Sequence, residues 1–484
     1  MRAVIIGGSI AGLTSAIAFS RAGLDVLVLE ADDSSPSESL GPDLSWAARR
    51  GVPQHTQAHA FLSLFIKTFN DLAPEVITDL VRLGAIWRAP EELIPSGARE
   101  RAKELKDGFS DMAVINARRP FVESILRRHA LNEPGIELRK AQVVRGLTSR
   151  TMNGRPHITG VITDSGESIS ADVVLDASGR RSSINDWIAN EGGRAPKFLT
   201  EPANQLYFTR YYRLLRSEDL PPLNNGFLTV HPFPWFAALM FPGDNGTLQV
   251  AIGGLPEDVQ MKHVRHNDAF HRVARMAPAV ADWVDPELSE PISDVSAMGN
   301  LNNHLRRMVV EGHPVAAGIH LVGDSAMITN PQYGRGVSHA AGHAAFVART
   351  VLDHPDDPVK QALVVDEEIE RMLVPSFESS IRMDRIRTAA WREFLGLKNP
   401  EPTSGVTVRE LPVDAMKAMT VGMTDPVVWQ AVTRGSLLLD PPGSWVADPE
   451  LLERIATQQI PSDLAQPPQG PDRQTILAAL SGSN

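Results

Sequence analysis

The sequence contains no cysteine among its 484 residues. A chain without thiols has no disulfide framework, no thiolate metal site and no cysteine nucleophile, and it is typical of a reducing compartment. Long apolar runs are also missing, because glycines interrupt the first apolar stretch and no later stretch has the length to span a bilayer. We therefore expect a cytoplasmic protein with no stable membrane span.

Positive charge and aromatic rings are scarce as well. Lys and Arg number 47 against 58 Asp and Glu, and the net charge of −11 gives nucleic acid binding no electrostatic support. Aromatic residues make up 6% of the chain, with only 4 tyrosines. The apolar content of 43% is ordinary for a globular protein, and the length suffices for two or three units around more than one core.

The N-terminal stretch has the pattern of a dinucleotide-binding βαβ unit. Residues 3–6 (AVII) predict a buried parallel strand, residues 7–12 (GGSIAG) a turn that opens an alanine-rich helix, and residues 25–30 (DVLVLE) a second buried strand. This order predicts an α/β protein with a Rossmann-like parallel-sheet domain.

Individual residues of this unit have distinct physical roles. Gly7 permits the tight turn, and Gly12 allows the helix to pack closely on the strand. Ser9 stands where the fingerprint has its second glycine, and it is small enough for backbone N–H groups to approach a pyrophosphate. Glu30 ends the second strand, where its carboxylate can accept from ribose hydroxyls and repel a 2′-phosphate.

Two further turns follow buried strands later in the chain. Residues 171–176 predict a strand that runs into the turn Asp176-Ala177-Ser178-Gly179, and residues 320–322 predict another that ends in Gly323-Asp324. The segment 330–338 (NPQYGRGVS) then leads into a helix. Its glycines and proline allow the backbone to lie against a flat ring, although a routine glycine-rich loop is the alternative.

Two cationic or histidine-containing segments are candidates for the same site. The segment 49–61 contains His55 and His59, which are four residues apart; we expect a solvated or flavin-edge loop there and no metal, because no H-E-x-x-H motif accompanies them. Arg119 precedes Pro120 at the first turn of a predicted helix, which places it to meet a phosphate. A solvated arginine is the alternative.

The middle of the chain has the alternation of antiparallel strands. Residues 205–214, 237–242 and 247–252 predict strands, with Asp244-Asn245-Gly246 as a hairpin turn. This region also carries four aromatic side chains that could line a pocket for a large apolar substrate, namely Tyr207, Tyr211, Trp235 and Phe236. An ordinary sheet core is an equal alternative for these rings.

Taken in order, the three motifs resemble the single-component flavoprotein monooxygenase superfamily that includes p-hydroxybenzoate hydroxylase. The segment 50–54 (RGVPQ), Arg119-Pro120, and the run from Gly323-Asp324-Ser325 to Gly336 make the chain most similar to the actinobacterial branch of polyether-antibiotic epoxidases. The resemblance spans about residues 3–349. It implies an FAD-binding domain of the glutathione-reductase-like type, an antiparallel substrate sheet and a helical C-terminal region.

The resemblance also implies which residues bind FAD. Arg119 would reach the phosphate or ribityl region, Asp324 would accept from a ribityl hydroxyl, and the backbone of Val143 would contact adenine. The full set of expected FAD contacts is Gly7, Ser9, Ile10, Ala11, Gly12, Glu30, Ala31, Arg50, Arg119, Val143, Gly323, Asp324, Pro331, Gly334, Gly336 and Val337. No catalytic acid or base is assigned.

The implied reaction is insertion of one oxygen atom from O2, through a flavin C4a-hydroperoxide, into a hydrophobic substrate by epoxidation or hydroxylation. An FAD-dependent dehydrogenase or reductase of the geranylgeranyl-reductase kind is the alternative, and a non-enzymatic flavin-binding protein is a third. NADPH or NADH is the expected electron source, directly or through a flavin reductase, because Ser178 stands where aromatic hydroxylases carry an acidic residue. Halogenation is disfavoured since no W-x-W-x-I-P segment occurs.

The same reasoning divides the chain into domains. Residues 1–84, 112–194 and 297–352 are assigned to a discontinuous FAD-binding domain, and residues 85–111 and 195–296 to a substrate domain. Residues 353–460 form a helical region, and the proline-rich stretch 461–484 is expected to be a mobile tail.

Overall fold

The computed structural model describes residues 1–33, 49, 51–399, 405–459 and 469–482. The strands are β1 (Arg2–Ile6), β2 (Asp25–Leu29), β3 (Ala60–Phe61), β4 (Ile86–Arg88), β5 (Val114–Asn116), β6 (Ile136–Arg139), β7 (Val144–Met152), β8 (Arg155–Thr163), β9 (Ser168–Ser170), β10 (Val173–Asp176), β11 (Lys197–Pro202), β12 (Leu206–Leu214), β13 (Thr229–Pro232), β14 (Phe236–Pro242), β15 (Thr247–Gly254), β16 (Ser289–Pro291), β17 (Ser296–Met298), β18 (Asn302–Arg307), β19 (Val309–Val310), β20 (His313–Pro314), β21 (Ile319–Leu321) and β22 (Met327–Ile328).

The helices fall into an N-terminal set, a pair beside the antiparallel sheet and a C-terminal set. They are α1 (Ile10–Arg21), α2 (Ser63–Leu72), α3 (Pro74–Arg82), α4 (Pro90–Leu93), α5 (Arg119–Asn132), α6 (Ile184–Asn190), α7 (Asn267–Met276), α8 (Pro278–Ala281), α9 (Gly336–Asp353), α10 (Pro358–Glu368), α11 (Val374–Phe394), α12 (Ala415–Gly422), α13 (Pro426–Ser436), α14 (Pro449–Thr457) and α15 (Arg473–Ser481). Among the helices of the described residues, none combines the length and the apolar character needed to cross a bilayer.

A five-stranded sheet in the order β21-β10-β1-β2-β6 confirms the predicted Rossmann-like domain, and every neighbouring pair in it is parallel. Its strands are nearly continuous apolar runs because both faces are covered. Helix α1 packs on β2, and the antiparallel sheet of β7, β8 and β9 packs on β10. The predicted βαβ unit is therefore present with the predicted order.

The stretch 135–147 (GIELRKAQVVRGL), although rich in strand-forming residues, does not form one continuous strand. Its first part is β6, which pairs in parallel with β2, whereas its last part begins the hairpin of β7 and β8. The chain changes direction between them at Ala141, whose φ of 54° lies in the left-handed region. A turn of this kind carries no strong signal when the residue is alanine.

The antiparallel sheet has the order β13-β14-β15-β12-β16, with β17 also paired to β12. The predicted hairpin turn between β14 and β15 is confirmed, and Asn245 adopts a φ of 52° there. One face of this sheet packs against α7, α8 and α15 in a dense apolar core. The other face points toward the parallel-sheet domain.

A buried ion pair joins the start of α5 to the antiparallel sheet. Arg118, immediately before α5, donates to both carboxylate oxygens of Asp244 in the β14–β15 turn, at 3.0 Å and 3.1 Å from Nε and 2.5 Å from Nη2. Its backbone N–H donates to the same carboxylate at 2.7 Å, and both side chains are fully buried. Breaking such a pair leaves an uncompensated buried charge, so the contact fixes the position of the antiparallel sheet.

The C-terminal region is helical, as predicted, but its end differs from expectation. Helices α10 and α11 are joined by a π-helical turn at Ile369–Leu373 and pack against the parallel sheet, while α12, α13 and α14 form a small core of their own. Part of the stretch expected to be a mobile tail is helix α15 instead. Its Ile476 and Leu480 are buried against the antiparallel sheet, and this packing stabilises a helix too short to form alone.

Residues 86–88, which the sequence analysis grouped with the substrate domain, form β4 and pair with β5 just before α5. Leu93, Ile94 and Ala98 then pack against α13 of the C-terminal region. This segment therefore contacts both the parallel-sheet domain and the C-terminal helices.

Candidate functional site

The turns predicted to bind a dinucleotide meet in one cavity of about 560 Å³. Of the residues predicted to contact the cofactor, it is lined by Gly7, Ser9, Ile10, Ala11, Glu30, Ala31, Arg119, Val143, Gly323, Asp324, Pro331, Gly334, Gly336 and Val337. Gly12 lies behind the turn, and Arg50 lies outside the described residues. Distant parts of the chain thus converge as the sequence motifs imply.

Steric crowding explains the two glycines of the first turn. Gly7 has a φ of +106°, and a Cβ there would lie 2.4 Å from the carbonyl oxygen of Ala177. A Cβ on Gly12 would lie 1.9 Å from the carbonyl oxygen of Gly7. Ser9 precedes α1, and its Oγ accepts from Nη2 of Arg119 at 3.0 Å. The N-terminus of α1 is therefore open toward the cavity with a cation beside it, an arrangement that suits a pyrophosphate.

Glu30 is almost completely buried at the end of β2. Its carboxylate accepts from the backbone N–H of Gly8 at 2.9 Å and of Asp32 at 2.8 Å, and it pairs with Arg49 at 2.9 Å. Arg49 also pairs with Asp32 and Glu123. Burial alone would lower the pKa of Arg49, but the three neighbouring carboxylates raise it above its usual value. Burial would likewise raise the pKa of Glu123, but Arg49 and Arg119 hold it below its usual range. Arg49 and Glu123 therefore remain charged beside the predicted ribose site.

Asp176 organises the Asp-Ala-Ser-Gly turn. Its buried carboxylate accepts from the backbone N–H and the hydroxyl of Ser178, at 2.9 Å and 2.5 Å, and also from the hydroxyl of Ser182. The hydroxyl of Ser325 reaches it at 3.3 Å and accepts from the N–H of Gly179 at 2.9 Å. Asp176 therefore joins this turn to the Gly-Asp-Ser turn after β21 rather than facing the cavity.

Asp324, the expected partner of a ribityl hydroxyl, lines the cavity. Its carboxylate accepts from Nε2 of Gln54 at 3.1 Å, and the guanidinium groups of Arg119 and Arg180 lie close enough to act on it electrostatically. Burial nevertheless raises the pKa of Asp324, because desolvation outweighs these cations. A desolvated carboxylate with few donors around it is suited to accept hydrogen bonds from ligand hydroxyls.

The loop from Asn330 to Gly336 is fixed by helix α11, which the sequence analysis did not connect with the site. The buried carboxylate of Asp384 accepts from Nδ2 of Asn330 at 2.7 Å, from the hydroxyl of Tyr333 at 2.8 Å and from Nδ2 of Asn303 at 2.8 Å. It also pairs with Arg387 at 2.8 Å. Because these donors come from three parts of the chain, only the tertiary fold reveals the role of Asp384.

The four aromatic candidates separate into two groups. Tyr207 and Tyr211 share a face of β12. The hydroxyl of Tyr207 donates to Asn330 Oδ1 at 2.7 Å, and that of Tyr211 donates to the carbonyl oxygen of Gln57 at 2.6 Å. Of the two, only Tyr207 lines the main cavity. The proposal that Trp235 and Phe236 line it is wrong, since both are buried in the core on the far face of the sheet.

Strand register explains the position of Phe236, whereas Trp235 precedes β14 and packs in the same core against Phe233 and Phe394. Tyr207, Gly253 and Ala237 lie in one row across the sheet, so the residues of β14 that share the cavity face are odd-numbered. Leu239 and Phe241 indeed line the cavity, while Phe236 points away. The sequence contained the alternation but not the pairing that tells which face is which.

Several further cavity residues were missed. The apolar ones are Ala251, Met298, Leu301 and Ile328, and the polar ones include Thr329. His59, in the segment expected to be a solvated or flavin-edge loop, also lines the cavity. His55 lies in a 3-10 turn (Pro53–Thr56) and His59 beyond it, so the two do not share a helical face. Within the described part of the chain, no group of three or more histidine and acidic side chains could hold a metal ion.

The residues present fit FAD. The cavity offers a glycine turn that admits no side chain, an open helix N-terminus with Arg119 beside it, and carboxylates at Glu30 and Asp324 for hydroxyl groups. A second helix, α9, begins at Gly336 on the cavity wall.

Comparison with known proteins agrees with this geometry. A sequence family described as an FAD binding domain matches residues 1–194. Protein Rv3254 of Mycobacterium tuberculosis is 28% identical over 225 residues, which cover 44% of this chain and 45% of that protein. The chain thus aligns with less than half the length of this curated relative.

Solved structures share the fold at low identity. PqsL of Pseudomonas aeruginosa, described as a probable FAD-dependent monooxygenase, aligns with a TM-score of 0.56 at 16% identity, over 82% of this chain and 98% of its own. The flavin-dependent brominase Bmp2 aligns with a TM-score of 0.54 at 15% identity, over 83% and 91%. Residues 1–194 therefore match an FAD binding domain, and the chain has a fold shared with flavin-dependent enzymes.

Proposed function

We propose that the protein is an FAD-dependent monooxygenase that inserts one oxygen atom of O2 into a hydrophobic substrate. The observation that carries this proposal is the continuity of the cavity. The same space is lined by the glycine turn and Asp324 of the FAD-binding domain and by Leu239 and Phe241 of the antiparallel sheet. An apolar compartment that opens directly onto a flavin site is what an oxygen-transfer enzyme requires.

Bound FAD would supply the electron transfer and the activation of oxygen. The protein's contribution is binding, orientation and exclusion of water. Glu30, Arg119 and Asp324 would hold the polar parts of the cofactor, and the loop 331–337 would lie against its ring. The N-terminus of α9 would stabilise negative charge on the reduced ring, and the apolar sheet face would keep water away from the reacting atoms.

The apolar lining favours a large, mostly hydrophobic substrate of the natural-product kind. Met298, Leu301 and Ile328 extend the apolar wall formed by the sheet. Epoxidation of an alkene, as in the polyether-type epoxidases that the motifs resemble, and hydroxylation of an electron-rich ring both suit such a compartment. The solved structures that share this fold include a probable monooxygenase and a brominase, so the fold does not favour epoxidation over hydroxylation.

Labelling with oxygen-18 tests the reaction class. The FAD-loaded protein is incubated with ¹⁸O₂, NADPH, a flavin reductase and a panel of apolar alkenes and phenols, and products are examined by mass spectrometry. One ¹⁸O atom per product molecule is expected. Products that form without label would overturn the monooxygenase proposal and favour the geranylgeranyl-reductase kind of dehydrogenase or reductase.

We also propose that NAD(P)H reduces the flavin slowly by itself and that a partner flavin reductase supplies electrons. Ser178 stands at the position where aromatic hydroxylases carry an acidic residue. Its hydroxyl donates a hydrogen bond to the carboxylate of Asp176, and this bond holds the side chain within the turn. Anaerobic stopped-flow mixing of the FAD-loaded protein with NADPH alone should show slow bleaching of flavin absorbance. Fast bleaching without a partner would contradict this part of the proposal.

A further inference from the structure

His59 presents one ring nitrogen to the cavity in a defined chemical state. Its Nδ1 lies 2.8 Å from the carbonyl oxygen of Gln57. A carbonyl oxygen can only accept, so Nδ1 carries the proton and Nε2 of the neutral ring is left as an acceptor. Nε2 has no hydrogen-bond partner among the described residues, and His59 lines the cavity.

The backbone around His59 keeps the ring in place. The N–H of His59 donates to Oε1 of Gln249 on β15 at 3.0 Å, and Nε2 of Gln249 donates back to the carbonyl oxygen of His59 at 3.0 Å. The side chain of Gln57 accepts from Thr209 on β12 at 2.7 Å. The imidazole is therefore attached to the cavity face of the antiparallel sheet rather than to a free loop.

The ring also stays neutral. Burial lowers the pKa of His59 to about 3, and the cation of Arg119 adds to the effect, while Glu123 opposes it and His55 is itself neutral. At any pH near neutrality Nε2 is thus a lone-pair acceptor and not a cationic donor.

A second polar atom in the same cavity lacks a partner. Thr329, just before the loop that begins at Asn330, is 5% exposed and lines the cavity. Its Oγ1 is buried with no hydrogen-bond partner among the residues described. Buried hydroxyls are nearly always bonded, so this one indicates a group supplied by a ligand. The cavity lining also includes the apolar side chains of Leu239, Phe241 and Met298.

We propose that the cavity selects an apolar substrate that carries a hydroxyl group, which donates a hydrogen bond to Nε2 of His59, with the Thr329 hydroxyl as a second polar anchor. This inference rests on the proposed function, because it takes the cavity beside the flavin site as the substrate compartment. An oxygen atom of a carboxylate or a ketone can only accept a hydrogen bond, and so can Nε2 of His59. Their lone pairs would therefore repel each other, and substrates that place such a group at His59 are disfavoured. His59 is a specificity residue in this assignment.

Binding to the oxidised, FAD-loaded protein tests the proposal without turnover. Equilibrium dialysis measures dissociation constants for 2-naphthol, for 2-methoxynaphthalene, which has the oxygen but no donor hydrogen, and for 2-naphthoate. The wild type should bind 2-naphthol about three- to tenfold more tightly than 2-methoxynaphthalene, as one net hydrogen bond predicts. His59→Leu should bring that ratio close to one, and His59→Gln, which offers an amide oxygen, should restore part of it. Thr329→Val should lower affinity for both neutral probes, 2-naphthol and 2-methoxynaphthalene.

Controls separate this proposal from folding and from the reaction class. His231→Gln alters a buried histidine that lies away from the cavity, near Phe233, and it should leave the ratio unchanged. FAD content and thermal melting are measured for each variant, and His59→Gln serves where His59→Leu fails to fold. An unchanged ratio in both His59 variants, tighter binding of 2-naphthoate than of 2-naphthol, or no binding of either neutral probe up to its solubility would overturn the proposal. Since no oxygen is consumed, these outcomes are independent of the oxygen-18 result.

Discussion

The contact between helix α11 and the loop from Asn330 to Gly336 predicts a large effect for one conservative change, Asp384→Asn. The side chain of Asp384 is 2% exposed and accepts four charged or neutral donors at 2.7 to 2.8 Å. The asparagine side chain has the same shape but removes the negative charge opposite Arg387. It also places an N–H₂ donor among groups that themselves donate hydrogen bonds to this position. Removing one partner of a buried ion pair costs about 3 to 5 kcal/mol.

The loss should reach the cofactor site as well as the fold. Asn330 and Tyr333, two of the donors, belong to the loop whose Pro331, Gly334 and Gly336 line the cavity. A loop that is no longer pre-organised must be ordered when FAD binds. Loss of one charge-assisted hydrogen bond, about 1.5 to 3 kcal/mol, would weaken FAD binding about tenfold or more.

Two measurements check this prediction. Guanidinium unfolding followed by tryptophan fluorescence gives the change in unfolding free energy, and titration of the apoprotein with FAD gives the dissociation constant. The matched control is Glu368→Gln, which removes an ion pair with the largely exposed Arg371 in the same helical region. That pair should be worth less than about 1 kcal/mol. Asp384→Asn behaving like Glu368→Gln in both assays would refute the reasoning.

Three further changes have definite expected outcomes. Asp324→Ala should weaken FAD binding about ten- to a hundredfold, since a desolvated carboxylate that accepts from ribityl hydroxyls is worth about 1.5 to 3 kcal/mol; an unchanged dissociation constant would contradict the assignment. Burial lowers the pKa of His343 to about 4 and neither ring nitrogen has a partner among the described residues, so below pH 6.5 the unfolded chain binds a proton that the native state refuses. The free energy of unfolding therefore falls as the pH falls from 6.5 toward 4, and His343 accounts for about 3 kcal/mol of this loss. His343→Leu should reduce the difference in unfolding free energy between pH 7 and pH 4.5. An equal difference in the wild type and in His343→Leu would contradict this expectation. Trp235→Ala should destabilise the fold by about 3 to 5 kcal/mol, because Trp235 packs against Phe233, Phe236 and Phe394. The FAD-loaded variant should bind 2-naphthol with unchanged affinity. A changed affinity for 2-naphthol with intact stability would instead indicate that Trp235 lines the pocket.

The parts of the fold that the sequence predicts well are those where a local pattern has one physical solution. The N-terminal βαβ unit is an example, because all its features lie within thirty residues. They are the apolar strand before Gly7, the crowded glycines Gly7 and Gly12, and the acidic residue Glu30. The strands before Asp176 and Gly323 are similarly short apolar runs that end in glycine turns, and both lie beside β1 or its neighbour in the parallel sheet.

The parts that the sequence does not predict depend on pairing between distant segments. The far-face position of Phe236 follows from the register of β14 on β15, which alternation within one strand cannot supply. The role of Asp384 depends on donors from Asn303, Asn330 and Tyr333, all at least fifty residues away. Helix α15 forms because Ile476 and Leu480 find a core to enter, which its own sequence does not specify.

The buried pair of Arg118 and Asp244 has a consequence for recombination between related enzymes. The residues matched as an FAD binding domain, 1–194, include Arg118 but not its partner, and the parallel sheet takes β21 from beyond residue 318. A chimera that joins this N-terminal stretch to the antiparallel sheet of a homologue without an acid at the β14–β15 turn would leave a guanidinium buried and unpaired. Exchanges of substrate sheets should therefore transfer the turn residue together with its arginine, and chain position 194 is not a boundary at which the protein can be cut.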